Sequence, residues 1–447
     1  MKFSTENTKT KVSGTKGDSG DLVVDENWER VLQRLPAGYD LEASAKRTKA
    51  LLRRREVKSG RDLLRLVFAY AVCDWSLRLV GAWSTLIGIG SLSDVAVLQR
   101  LRGCRIWLGS LIATILQERR VGLVRRPGVR LRIMDGTVVS RPGSTGTDWR
   151  LHLSLDLGNL CLDGVEVSDA HTGESFVHYP TQPGDIRLGD RGYGYANSMA
   201  PILAAGGWLV VRISWQNPVL EDRTGQQIDI PRLLQAMKPQ SLKEQLVFLS
   251  AQQGRFRLRL LIAALPQEAA DKARHRLRKR KQKKGKTPDQ RTLLAAGFTI
   301  LLTNLPAQDW PIKQVLHLYR LRWQIELFIK RLKSILHCDQ LRAQDPQLTQ
   351  VYLLGKILAA LLFDDWLQQA KGLCPAWFRS VQRPPSMWRL TSLFCEGLLT
   401  SVRGTITLEM VLVALPRLQR YLCAAPRKRT QQLAQARSLF SSLSGCQ

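Results

Sequence analysis

Tyr319, Arg322, Glu326 and Lys333 stand at offsets of 0, 3, 7 and 14 residues. On a single α-helix, at about 100° per residue, they fall at roughly 0°, 300°, 340° and 320°, a stripe near 60° wide. Leu321, Ile325, Phe328, Ile329, Leu332 and Ile335 fall on the other side as a core-facing stripe, so the polar four share one outward face. A carboxylate flanked by an aromatic hydroxyl and two cations on a rigid helix suits metal-dependent phosphoryl transfer: the Glu binds the ion and the cations grip phosphates. Taken alone, Arg322 and Glu326 are also an ordinary i,i+4 pair, and most such pairs decorate a solvated surface.

Residue for residue, this spacing resembles the Tyr-Arg-Glu-Lys signature of the YREK group of bacterial insertion-sequence DDE transposases. The resemblance runs over about residues 130–340 and implies an α/β, ribonuclease-H-like catalytic core, with two aspartates upstream of the Glu. Asp135 ends the first strand, Leu131 to Asp135 before Gly136-Thr137, and Asp190 ends a later one before Arg191-Gly192-Tyr193. By itself each Asp is an ordinary turn or capping residue, since Asp-Gly is a strong turn signal. Asp156, Asp163, Asp169, Asp185 and Glu166 compete nearby and are expected to be surface or turn carboxylates.

On this resemblance Asp135, Asp190 and Glu326 are the catalytic residues and metal ligands, with Asp135 bridging two Mg²⁺ ions for which Mn²⁺ substitutes. Tyr319, Arg322 and Lys333, with Lys330, bind phosphates of the element end. The partners implied are double-stranded DNA, as terminal inverted repeats and as target, and a second copy of the chain in an end-paired homodimer. The activity implied is cut-and-paste transposition by cleavage and strand transfer. Two alternatives stay open: a nuclease on the same fold that does not join DNA, and a DNA-binding derivative without catalysis.

Composition bounds these readings. The 447 residues are 44% hydrophobic, enough for several packed units. Lys and Arg outnumber Asp and Glu by 67 to 37, a surplus of +30, which asks for a polyanionic partner. The most apolar stretch, Val351 to Phe363, carries Lys356 and is too short for a transmembrane span. Eight scattered Cys and six His show no ligand spacing, which fits reduced thiols and a bacterial cytoplasmic, nucleoid-associated protein.

Around these residues the periodicity changes along the chain. Residues 1–25 look like a disordered lead-in, and 26–127 like a helical region with Ser91 and Ser93 as caps. Its Arg residues suit either DNA-end recognition or a solvated helical face. Strands are expected at Val129 to Met134, Leu151 to Leu157, Cys161 to Val167, Ile186 to Gly189 and Trp208 to Ile213, with a helix over Ala196 to Ala205; together they make the first part of the core, 128–213.

Residues 214–298 depart from this rhythm as a β-rich basic insertion, with hairpin strands Gln245 to Ser250 and Arg255 to Ile262. It holds the densest basic run, including Arg278, Lys279, Arg280 and Lys281, which serves either as an exposed linker or, preferably, as a clamp on the DNA backbone. Residues 299–342 complete the core with a strand at Thr299 to Thr303 and the Glu helix. The helical region 343–447 offers apolar faces, such as Leu353 to Trp366, either to a second subunit or to its own core.

Overall fold

The computed structural model describes residues 25–124, 130–141, 143–144, 146–182, 184–380 and 382–422. The lead-in up to residue 24, the boundary near Pro127 and the last 25 residues lie outside the described residues.

Six helices come first: α1 (Glu26–Leu32), α2 (Leu41–Arg47), α3 (Gly60–Ala71), α4 (Leu77–Leu86), α5 (Asp94–Gly103) and α6 (Arg105–Val124). Their starts are written in the sequence. Asp40, Ser59 and Ser93 are N-caps whose side chains accept from the amides of Glu42, Asp62 and Ala96, satisfying donors that the first turn leaves free. Ser91 caps nothing; its amide donates to Glu56 instead. In α3 the apolar residues Leu63, Leu64, Val67, Phe68 and Ala71 are all buried.

The sheet follows. It contains β1 (Arg130–Val139), β2 (Trp149–Asp156), β3 (Cys161–Asp169), β4 (Asp185–Gly189), β5 (Trp208–Arg212), β6 (Leu242–Ala251), β7 (Gly254–Ala264) and β8 (Phe298–Thr303), in the order β3-β2-β1-β4-β5-β8-β7-β6. Helix α7 (Ala196–Ala204) connects β4 to β5. The pairs β1/β4 and β4/β5 are parallel and the rest antiparallel. An antiparallel trio with two parallel strands beside its first member is the ribonuclease-H-like core.

Two expectations are revised here. The hairpin β6/β7 does not stand apart, because β7 pairs with β8 along Arg259↔Thr303 to Ala264↔Phe298 and widens the same sheet to eight strands. The basic run lies largely on a helix, α9 (Gln267–Gln282), which follows β7 and precedes α10 (Gln290–Ala295); α8 (Ile230–Gln235) comes before β6 and packs against α10.

After β8 come α11 (Ile312–Arg320), α12 (Trp323–Leu336), α13 (Pro346–Leu373), α14 (Pro375–Arg379), α15 (Met387–Arg403) and α16 (Leu408–Leu422). Among the described residues α13 is the one single helix long and apolar enough to cross a bilayer, yet 78% of its most apolar window is buried inside the protein. Leu353, Ile357, Leu358, Leu361 and Phe363 pack in the main core, so this stretch is spent on core packing. Lys356 is fully buried on α13 and is satisfied by Asp74, 3.1 Å away, and by the Leu336 carbonyl at the end of α12.

Beneath the starts of β1 and β4 lies a lattice of buried charge. Arg132 reaches Asp163 at 2.8 Å and Asp185 at 3.1 Å, Arg130 pairs with Asp163 and with Asp185, and Arg187 lies 3.6 Å from Asp185. Asp156, also buried, is 3.9 Å from Arg130. None of Asp156, Asp163 and Asp185 is a surface carboxylate: all three are buried counter-charges, although Asp156 also serves the turn after β2 as expected, accepting from the Asn159 amide at 2.9 Å, and Asp185 accepts from the Gln182 amide.

Candidate active site

Asp135 does not end a strand. β1 runs on to Val139 because β2 keeps pairing with it, Asp135 opposite Leu153 and Gly136 opposite His152. What ends is the parallel ladder to β4, last joined at Ile133↔Leu188. Its constant offset of 55 (188 − 133) carries on to set Asp135 alongside Asp190. Asp190 directly follows β4 and caps the short turn Arg191–Tyr193, accepting from the Gly192 amide at 2.7 Å. Asp135 accepts from the Gly136 amide at 2.9 Å.

The Tyr-Arg-Glu-Lys residues do not share one helix. Tyr319 lies in the last turn of α11, and Glu326 and Lys333 lie on α12, with Leu321 and Arg322 between. The amides of Leu321, Arg322 and Gln324 each bond three residues back, to Leu318, Tyr319 and Leu321. This tighter winding resets the helical phase, which is why Leu321 is 42% exposed although a continuous helix would bury it. From Ile325 onward the expected stripe holds: Ile325, Phe328, Ile329 and Leu332 are buried. Glu326, Lys330 and Lys333, at offsets 0, 4 and 7, share the remaining face.

Arg322 ties the two halves together. Its guanidinium is 3.7 Å from the Asp135 carboxylate, pairs with Glu326, and lies 5.9 Å from the centre of the Tyr319 ring. Burial pulls its pKa down, but Tyr319, Glu326 and Asp135 outweigh that and hold it above its ordinary value. Burial of the Tyr319 hydroxyl raises its pKa as well, with Arg322 and Arg212 opposing.

The acid side of the site is short of cations. Burial, reinforced by Asp190 and further by Glu174, pushes the Asp135 pKa up to about 7. Glu174 is a carboxylate that the sequence did not point to. It stands on the connection between β3 and β4, and burial and then Asp190 raise its pKa. Gly136, next after Asp135, and Gly192, two residues past Asp190, make room for it: a Cβ on Gly136 would lie 2.9 Å from the Glu174 carboxylate, and one on Gly192 would collide with it. Nothing in the spacing of Gly173-Glu174-Ser175 marks that placement.

Asp135, Asp190 and Glu326 offer oxygen acceptors only, the donor set of hard divalent cations. Crowding that keeps a proton on Asp135 near neutral pH is the charge imbalance that such a cation relieves. As arranged, no group of three acidic, His or Cys side chains among the described residues is set to hold a metal ion, and Arg322 lies between Asp135 and Glu326. The residues fit a divalent ion in chemistry and neighbourhood. Arg278, Lys279, Arg280 and Lys281 are not brought into this cluster; they lie on α9. The competitors Asp169 and Glu166 are engaged elsewhere, in a turn with His171 and Thr172 and in a pair with His178.

Comparison with known proteins gives the family. Residues 126–362 match the transposase DDE domain family. The chain is 36% identical over 356 residues to a putative transposase of insertion sequence element IS186A from Escherichia coli K12, covering 78% of this chain and 96% of the relative. It is equally similar, 36% over 357 residues, to the transposase for insertion sequence element IS421 of Escherichia coli, with the same coverage. A solved structure of piggyBac transposase in a synaptic complex with hairpin DNA is similar at a TM-score of 0.43 and 11% identity, over 92% of this chain and 86% of that one.

Proposed function

Because this chain belongs to the DDE transposases of bacterial insertion sequences, we propose that Asp135, Asp190 and Glu326 are its catalytic carboxylates, and that it cleaves the ends of its own element and joins them to target DNA by a cut-and-paste route. The family implies use of a divalent metal. Here the three carboxylates would hold Mg²⁺, as two ions with Mn²⁺ as a substitute, supplying Lewis-acid neutralisation of charge at the phosphoryl group. The observation that carries the reading is the meeting of Asp135 with Asp190 across adjacent strands, joined to Glu326 through Arg322.

The chain's own groups do the rest. Arg322, Lys333 and Lys330 would grip phosphates of the element end and align the scissile bond for in-line attack. A DNA phosphate can take over the guanidinium that Asp135 and Glu326 now share, leaving both carboxylates free. Tyr319, whose pKa is held above its ordinary value, stays protonated and donates a hydrogen bond to the same strand. In the first step water attacks the phosphorus and the bond to the 3′ oxygen breaks, leaving a 3′-OH. In the second that hydroxyl attacks a target phosphodiester and displaces the target's own 3′ oxygen.

Residues 128–213 and 299–342 would form the catalytic core, 214–298 a basic insertion whose Arg278, Lys279, Arg280 and Lys281 contact DNA backbone, 26–127 an end-binding region and 343–447 a dimerising one. A homodimer in the end-paired complex is supported by apolar residues exposed on α15 and α16, among them Leu393, Leu408 and Val413 at 68%, 84% and 75%. The DNA substrate places the work in the bacterial cytoplasm, on the nucleoid.

The test is cleavage of labelled DNA from the gene's own flanks, comparing wild type with Glu326→Gln in Mg²⁺ and in Mn²⁺. Metal-dependent breaks at the element boundary, lost in Glu326→Gln and followed by joined products, are expected. Binding without breaks in either metal would refute the catalytic reading, and breaks without joined products would leave a nuclease.

A further inference from the structure

Beside the carboxylates, between the end of β5 and one face of α9, opens a cavity of about 580 Å³. Its charged lining is Arg191, Arg212, Arg276, Arg280, Lys281 and Asp289, five cations against one carboxylate, a formal balance of +4 (5 − 1). Asp289 is already engaged as the N-cap of α10.

The helix is oriented toward this space. Ala273, Arg276, Leu277, Arg280 and Lys281 line the cavity, and their spacing of 0, 3, 4, 7 and 8 is one face of a helix. Arg278 and Lys279 lie off that stripe. The basic run thus has two faces, and only one looks into the fold. Arg276 and Arg280 are a like-charged i,i+4 pair, which destabilises a helix unless an anion lies between them.

The strand side is less satisfied still. The buried Nε of Arg212 has no hydrogen-bond partner among the described residues, an arrangement that costs free energy until a ligand fills it. Arg191, Arg212 and Arg280 face this one space together, from the turn after β4, from the end of β5 and from α9. Arg191 follows Asp190 directly in sequence, which puts the cavity next to one of the carboxylates. The indole of Trp215 lines the same space, fixed by its N–H to Thr292 at 3.2 Å.

We infer that this cavity is an anion subsite for the phosphodiester backbone of the DNA strand running away from the carboxylates, with Arg212, Arg276 and Arg280 as its phosphate ligands. The inference rests on the transposase reading, adds Arg212 and Arg276, to which that reading gives no task, and gives Arg280 a definite phosphate. Guanidinium groups suit the task because their planar fork donates two hydrogen bonds to one phosphate. A free phosphate or pyrophosphate offers the same chemistry, so the test must separate the two sources.

The experiment measures equilibrium binding of a labelled flank duplex in which one methylphosphonate linkage is walked along the terminal positions. Wild type, Arg276→Ala/Arg280→Ala and Arg278→Ala/Lys279→Ala are compared, with Arg212→Gln as an independent cleft variant from the strand side. Ala keeps α9 helical, and thermal melts check each fold. Neutralising one or two linkages near the cleavage position should weaken wild type about tenfold and leave Arg276→Ala/Arg280→Ala and Arg212→Gln unmoved. Arg278→Ala/Lys279→Ala, which removes backbone contacts outside the cleft, should lower affinity at every linkage alike and keep the wild-type positional pattern.

Additive effects at every position would overturn the subsite while DNA binding itself stands. Loss of the positional effect in millimolar inorganic phosphate, with overall binding retained, would make it a free-anion site and overturn the strand assignment. A wild-type chain that ignores the flank duplex would overturn the transposase reading and the subsite with it.

Discussion

The two ends of the strand pair β1/β4 handle buried charge in opposite ways. At the starting end three guanidinium groups, Arg130, Arg132 and Arg187, meet three carboxylates, Asp156, Asp163 and Asp185, in a lattice of ion pairs. At the other end, a few residues along the same strands, Asp135, Asp190 and Glu174 crowd together, and among the described residues Arg322 is the cation close to Asp135 while Arg150 acts on Glu174. Balanced charge holds a sheet together; unbalanced charge is a standing demand for something from outside. Sequence distance does not separate the two, since Arg132 and Asp135 lie three positions apart. What separates them is which partner strands carry the opposite sign.

Breaking the balanced end should have the largest effect. Arg132→Met leaves Asp163 and Asp185 a cation short in the interior, so a loss of about 3–5 kcal/mol is expected in urea denaturation. Adding Asp163→Leu to Arg132→Met should recover much of it, because apolar pairs of similar volume often replace buried ion pairs without loss. A single-variant loss under about 1 kcal/mol would mean that the lattice contributes little.

The unbalanced end should respond in the opposite sense. The folded pKa of Asp135, about 7, lies above its ordinary 3.8. Below 3.8 both states are protonated and there is no penalty; the penalty grows as pH rises and is complete above about 7. Asp135→Asn, which cannot ionise, should therefore stabilise the metal-free protein by about 2–4 kcal/mol above pH 7, at roughly 1.4 kcal/mol per pKa unit, while abolishing cleavage. The gain should vanish near pH 4. A melting temperature that falls at pH 8 would contradict the proposed imbalance.

Divalent metal sharpens the same contrast. Mn²⁺ at about a hundred times its Kd should stabilise wild type by about 2.7 kcal/mol and Asp135→Asn far less. Its affinity should rise with pH and level off above about pH 7, as the Asp135 proton is lost. Equal stabilisation of both proteins would detach metal binding from this site. The smallest effect concerns the face of α12: Lys333→Ala should weaken element-end binding about tenfold, the scale of one charge-assisted contact, with no change in melting temperature. Unchanged binding would remove Lys333 from the interface.

Much of this was legible in the chain. Strands such as Leu151 to Leu157 alternate plainly, and Asp190 ends its strand as expected, because these signals are local. Misreadings arose where a neighbour decides. Asp135-Gly136 carries a turn signal, but β2 holds it extended. Asp163 and Asp185 look like surface acids until Arg132 and Arg130 are folded against them. The interruption at Leu321 and Arg322 is a change of hydrogen-bond spacing within an unbroken helical pattern, so periodicity alone runs straight through it. Glu174 lies on a connection where no periodicity applies, and its meaning comes only from the glycines it faces.

That interruption and the buried Lys356 together give α12 a mechanical character. Lys356 grips the Leu336 carbonyl at one end of the helix, and the tight turn at Leu321 and Arg322 changes the winding at the other. Glu326 is ten residues (336 − 326) from the grip, a lever arm of about 15 Å, so a tilt of about 10° swings its carboxylate through about 2.6 Å. Exchanging the Arg322 pair for another partner asks of Glu326 a small tilt of α12 and not the loss of a helical turn.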